Sequence, residues 1–130
     1  MWSALVLALF LSEAPPKHYT IDLGGSTAST NKNGAGNLVV QIRAEPGFGV
    51  NPKAPLTMSL SAEHAKLKKS ELEMSDAEDK SSHSPRFVVP FVAGDAGDDV
   101  IRGKITFFLC TETICERKTE SLEHRLNVEP

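Results

Sequence analysis

The chain lacks the residue runs that several functional classes require. It has no dense run of Lys or Arg and its formal net charge is −3, which argues against nucleic acid or an anionic membrane as the main partner. Beyond the first residues, no apolar stretch is long enough to cross a bilayer as a helix. No glycine-rich loop follows a strand and opens a helix, so nucleotide binding has no support.

Metal-ligating patterns are also missing. The four histidines lie on unrelated segments without the local spacing of a ligand set: His18, His64, His83 and His124. An acidic turn at residues 94–99 lacks the ligand spacing of a known calcium loop. We therefore predict neither a bound metal nor a cofactor.

The first residues form an apolar segment. Residues 1–12 have the length of a signal-peptide apolar region and are too short for a transmembrane helix. We predict a signal peptide over 1–14 and export of the chain to the periplasm or outside the cell. No basic residue precedes the run, and Pro15 follows the best cleavage site, so a buried N-terminal strand or helix is the alternative.

Short stretches of alternating apolar and polar residues predict antiparallel strands in the rest of the chain. Five are clear, at 38–44, 56–62, 87–93, 101–109 and 122–128, and two are weaker, at 19–23 and 72–74. We interpret residues 62–74 as a loop followed by a strand rather than as a short helix. About seven strands predict an all-β, immunoglobulin-like antiparallel sandwich over 38–130. Residues 15–37 are predicted to be a leader strand and a flexible linker, since 24–37 has no apolar period.

The two cysteines, Cys110 and Cys115, end the most strand-like apolar run. A disulfide needs Cα atoms about 4.4–6.8 Å apart, so residues 111–114 must reverse the chain if the bond forms. In that antiparallel hairpin, Thr106 faces Thr119 and Arg102 faces Glu123. The sulfur atoms then share a partly exposed face with Phe108.

The same register has two further consequences. It sets Glu120 opposite Ile105, which would be an unusual core position. It also places His124 roughly 30 Å along the strand from Cys115, so a Cys/His nucleophile pairing is disfavoured.

Three roles for the cysteine pair remain open at this point: a structural disulfide, a redox-active pair and a metal site. A loop of six residues gains only about 2 kcal/mol from closure, so the bond is poorly placed as a structural staple. Thiolate chemistry prefers cationic surroundings. The neighbouring charges balance, however, because Glu112 and Glu116 oppose Arg117 and Lys118.

Segments 47–55, 87–93 and 103–118 together resemble the N-terminal periplasmic domain of the thiol:disulfide interchange protein DsbD family. The resemblance implies an immunoglobulin-like sandwich that takes reducing equivalents from a membrane partner and passes them to periplasmic thioredoxin-fold proteins. It implies that Cys110 and Cys115 are the exchanging pair and that Cys115 attacks. Phe108 and Phe48 are the candidates for partner docking or for shielding the sulfurs. The alternative function is a noncatalytic secreted binding domain with a structural disulfide.

Overall fold

The computed structural model describes residues 16–130, so the predicted signal peptide over 1–14 lies outside the described residues. This part of the chain is built from strands and one short 3-10 turn at Met74–Asp76. The strands are β1 (Tyr19–Asp22), β2 (Ser29–Asn31), β3 (Ala35–Ala44), β4 (Gly49–Val50), β5 (Thr57–Ala62), β6 (Lys66–Leu67), β7 (Glu71–Glu73), β8 (Arg86–Val92), β9 (Gly97–Cys110) and β10 (Cys115–Glu129).

The strands form two sheets that pack face to face. One is four-stranded, in the order β1-β3-β8-β6, and the other is six-stranded, in the order β2-β10-β9-β5-β7 with β4 beside β9. In the first sheet, β1, β3, β8 and β6 correspond to strands A, B, E and D of an immunoglobulin sandwich. In the second sheet, β10, β9 and β5 correspond to strands G, F and C. The predicted fold class is confirmed, with one parallel pairing, between β2 and β10, added to the antiparallel ladders.

The core follows from the two-residue period of the strands. On β5, Met58 and Leu60 are buried, whereas Thr57 and Ser59 face solvent. β8 and β9 bury alternate residues in the same way and contribute Phe87, Val89, Phe91, Ile101, Ile105, Phe107 and Leu109. Neither cysteine belongs to this buried cluster.

Strand positions match the sequence prediction closely. The seven predicted strands correspond to β1, β3, β5, β7, β8, β9 and β10. Residues 62–74 form a loop with short strands rather than an α-helix, as predicted. The strands that the pattern missed are β2, β4 and β6, each of two or three residues.

The segment 24–37 differs from the predicted flexible linker. β2 lies within it and pairs with the end of β10, and β3 already begins at Ala35. The Ser26 hydroxyl also accepts a hydrogen bond from the Val39 amide at 2.8 Å and donates one to the Val39 carbonyl at 3.1 Å. Backbone and hydroxyl hydrogen bonds therefore order this segment. Such bonds do not require apolar residues at regular intervals, so the sequence pattern does not reveal them.

The predicted register of the β9–β10 hairpin is confirmed along its length. Cys110 faces Cys115, Thr106 faces Thr119, and their hydroxyls lie 3.2 Å apart. Gly103 faces Leu122, and a Cβ atom on Gly103 would lie 2.5 Å from Leu60 Cδ2. Because Gly103 has no side chain, the Leu60 side chain has room to pack against it in the core.

Glu120 faces the inner side of the six-stranded sheet, opposite Ile105. The Tyr19 hydroxyl donates a hydrogen bond to its carboxylate at 2.5 Å, and the Lys17 ammonium lies 2.8 Å from it. These contacts lower the pKa of Glu120, with the Lys17 hydrogen bond as the largest cause. Burial, and then the bond to Glu120, raises the pKa of Tyr19. The acidic residue therefore connects β1 of one sheet to β10 of the other.

Replacing Glu120 by Gln should change the acid side of the stability curve. Because folding lowers the pKa of Glu120, the carboxylate stabilises the fold above its unfolded pKa of about 4.3, and this contribution disappears as the pH falls through the lower folded value. We expect Glu120→Gln to be less stable than wild type at pH 7. The difference in unfolding free energy should shrink below about pH 4.

Urea unfolding at several pH values measures this difference. Glu123→Gln, on the outer face of the same strand, is the matched control. A difference in unfolding free energy between wild type and Glu120→Gln that stays constant from pH 7 to pH 3 would contradict the stabilising role of the Glu120 carboxylate.

Candidate functional site

Two cysteines and a four-residue turn form the rim of the β9–β10 hairpin. The Thr111 amide donates to the Ile114 carbonyl at 2.8 Å, and the Thr111 hydroxyl oxygen accepts from the Ile114 amide at 3.2 Å. This turn sets the Cα atoms of Cys110 and Cys115 4.0 Å apart, and their sulfur atoms are bonded. The predicted reversal and the predicted disulfide are both present.

The two cysteines differ in exposure because their strands have different neighbours at the rim. Cys110 is half-buried, since Gly49 of β4 pairs with it on the side away from β10. Cys115 is exposed. Among residues 16–130, the strand that pairs with the outer edge of β10 is β2, and that pairing begins only at Asn127. The rim of β10 is therefore open at Cys115.

Phe48 lies beside Cys110. The two residues line one hollow of about 320 Å³, together with the other residues of the loop around β4. The Phe48 ring stacks on the His18 ring, with centroids 4.2 Å apart, and His18 Nδ1 lies 3.0 Å from a Glu45 carboxylate oxygen. Gly47 precedes Phe48 with a φ of 86°, a conformation that favours glycine. Phe48 also packs against the core and lines a second hollow with Leu109, Glu116 and Lys118, so its ring lies toward the face opposite the sulfurs.

Two other apolar residues lie near the sulfur atoms. Phe108 is half-buried on the same face of the sheet as the disulfide, where Arg117 is its cross-strand partner. Ile114 is 58% exposed and directly precedes Cys115. The sequence analysis did not select Ile114, although an aliphatic residue in a four-residue turn was a visible signal. His18 was also missed, and no local pattern connects it to Phe48.

The charges around the disulfide separate onto two faces. Glu116 and Lys118 lie on the face opposite the sulfurs and form an ion pair at 2.9 Å. The hydrogen bond from Lys118 lowers the pKa of Glu116. Arg117 lies two residues from Cys115 on the same face, or about 6–7 Å along the strand. It forms no salt bridge with a described residue, whereas Glu112 of the turn lines the same hollow as Cys110.

The remaining candidates from the sequence lie elsewhere. His124 Nε2 is 2.8 Å from the Thr27 carbonyl oxygen, at the far end of β10 from the disulfide. Asp99, from the acidic turn, is buried and accepts hydrogen bonds from backbone amides, including that of Ala65 at 2.8 Å. Residues 16–130 contain no group of three or more His, Cys, Asp or Glu side chains positioned for a metal ion. In the same range, no helix has the length and apolarity to span a membrane.

No protein family and no curated protein matches the chain. Among solved structures, the chain is similar to the crystal structure of domains 4 and 5 of the S-layer protein SbsC, with 11% identity and a TM-score of 0.48. The match covers 85% of this chain and 51% of that one, so the chain spans about half the length of that structure. A likeness of this strength assigns neither a family nor an activity.

The unequal exposure predicts which sulfur a small thiol attacks. With limiting glutathione, we expect the adduct on Cys115 and the freed thiol on Cys110, because Cys115 is exposed whereas Cys110 is half-buried beside β4. Rapid capture of the freed thiol with N-ethylmaleimide, followed by fragment mass spectrometry, locates both groups. Equal attack on both sulfurs in the wild-type protein would contradict this prediction.

Proposed function

We propose that the chain is an exported thiol/disulfide exchange module, similar to the N-terminal domain of the DsbD family, that acts through Cys110 and Cys115. The observation that carries this proposal is the position of Cys115, exposed at a strand edge that no residue of 16–130 pairs with, and with its sulfur bonded to a half-buried partner. Such an arrangement gives a partner thiol one accessible sulfur to attack and one sulfur to displace.

The exchange is a two-electron transfer between dithiols. A thiolate of a reduced partner attacks Cys115 Sγ, the Cys115–Cys110 bond breaks, and Cys110 leaves as a thiolate that takes up a proton. The second thiol of the partner, as thiolate, then attacks the mixed disulfide and releases Cys115. In the opposite direction, Cys115 of the reduced module attacks the disulfide of a partner and Cys110 resolves the intermediate. Each cycle oxidises one dithiol and reduces one disulfide.

The position of the bond in the fold supports exchange over a purely structural role. Neither cysteine contributes to the buried core, and the turn between them is held by the backbone and hydroxyl bonds of Thr111. Opening the disulfide therefore leaves the sandwich intact. A domain that cycles between oxidised and reduced forms needs this independence.

The surroundings of Cys115 suit a docking partner. Ile114 and Phe108 offer apolar contact on either side of the hairpin rim, and Arg117 lies on the sulfur face. Apolar contact brings the two reacting sulfurs within reach. We propose periplasmic thioredoxin-fold proteins as partners, since disulfides persist in that compartment.

A double Cys110→Ser, Cys115→Ser variant tests the proposal against a noncatalytic binding domain with a structural disulfide. Removing the bond should cost about 2 kcal/mol on either hypothesis, because the closed loop has six residues. If the bond serves exchange, the variant should also lose the ability to oxidise or reduce a thioredoxin-fold protein, whereas a structural bond predicts that the wild-type protein has no such ability either. Urea unfolding and a coupled thiol assay measure the two quantities.

Single variants and the reduction potential complete the test. Cys110→Ser should trap a mixed disulfide through Cys115, whereas Cys115→Ser should trap little. A reduction potential far below about −300 mV would identify an inert bond and overturn the proposal.

Arg117 should favour the thiolate of reduced Cys115. In a Cys110→Ser background, Arg117→Gln should raise the pKa of the Cys115 thiol by about 0.3, because a cation on the sulfur face is lost. The pH dependence of iodoacetamide alkylation measures this pKa. Lys118→Gln, on the opposite face, is the control, and an equal or larger effect of Lys118→Gln would show that the separation of faces does not govern reactivity.

A further inference from the structure

An apolar stripe runs along the solvent side of the four-stranded sheet. Three successive outward positions of β8 carry Val88, Pro90 and Val92, and Val92 is 47% exposed. The corresponding positions of β5, on the other sheet, are all hydroxyl residues: Thr57, Ser59 and Ser61. The outward face of β8 is therefore more apolar than that of β5, and Val39 of β3 adjoins it as the cross-strand partner of Val88.

Walls on both sides turn the stripe into a groove. The start of β3 and Thr27 lie on one side, and β6 lies on the other, around a hollow of about 590 Å³. A second hollow of about 340 Å³ continues the groove past Pro90 toward Val88 and Leu72, and the ion pair of Lys69 with Asp76 closes that end. Lys68 and Pro90 line both hollows. Cavities of a few hundred cubic ångströms with mainly apolar walls are the usual sites for small molecules.

The β6 wall of the groove is cationic. Lys66 is the cross-strand partner of Val92, and the Lys68 amide donates a hydrogen bond to the Pro90 carbonyl at 2.9 Å. Both lysines are exposed, and neither forms a salt bridge with a described residue. In a chain with a net charge of −3, two unpaired cations beside an apolar floor call for an anionic ligand with an apolar body.

We propose that this groove binds the anion of a medium-chain fatty acid. The alkyl chain lies along Val88, Pro90 and Val92, and the carboxylate lies at Lys66 and Lys68. Four strand steps from Val88 to Val92 span about 13 Å, which suits an extended chain of about ten carbons. The site is on the opposite sheet from the disulfide, so it is independent of the exchange function.

Isothermal titration of the oxidised chain with decanoate, below its micelle concentration, tests the proposal. We expect saturable binding of one decanoate per chain. Lys66→Glu combined with Lys68→Glu should weaken binding about tenfold or more, because two attractive charges become repulsive. Val92→Asp should do the same by placing a carboxylate on the apolar floor.

Matched variants separate the site from general effects. Lys53→Glu changes an exposed lysine outside the groove, and Val92→Leu keeps the floor apolar, so both should bind decanoate as wild type does. The two exposed lysines can be replaced without opening the core, and thermal unfolding verifies the fold of every variant.

Three results would overturn the proposal. The first is a failure of the wild-type chain to bind decanoate. The second is equal binding of decanol, which lacks the carboxylate. The third is tight binding of an acidic extended peptide in place of decanoate, which would identify the groove as a peptide site.

Discussion

The pairing of β9 with β10 is the constraint on which the structure depends. It runs without interruption from Cys110 opposite Cys115 to Gly97 opposite Val128. Because side chains alternate between faces, a slip of β9 by one residue would turn Ile105 and Phe107 to solvent and Cys110 toward the core. One register therefore fixes the inner face of the larger sheet and the exposed position of the disulfide. The short turn held by Thr111 sets that register.

The fold was predictable where a strand buries one complete face. β5, β8 and β9 each alternate cleanly, and their positions follow from that alternation alone. β2 and β6 could not be found in this way because two or three residues carry no period and depend on the strand beside them. The pattern missed the strand within 24–37 for the same reason. The order of that segment comes from Ser26 and from the edge of β10, which are partners distant in sequence.

The Cys110–Cys115 disulfide was predictable from the sequence, whereas the residues that surround it were less so. The spacing of Cys110 and Cys115 was enough to infer the turn, the register and the partial exposure of the sulfurs. Counting charges along the chain could not show that Glu116 pairs with Lys118 on the face opposite the sulfurs while Arg117 lies on the sulfur face, because neighbouring residues of a strand face opposite sides. The stacking of His18 on Phe48 brings together residues separated by thirty positions in the chain, which no local pattern encodes.

The length of β10 places the disulfide and the end of the last strand at opposite ends of the domain. Cys115 begins the strand and Glu129 ends it, so the two residues are separated by about 45 Å of extended chain. The Lys32 amide donates to the Glu129 carbonyl at 2.7 Å and secures that distant end to the body of the domain. A fluorophore or a surface linkage attached near Glu129 would leave the disulfide pointing away from the support, which suits single-molecule force or immobilised-electrode experiments on this protein.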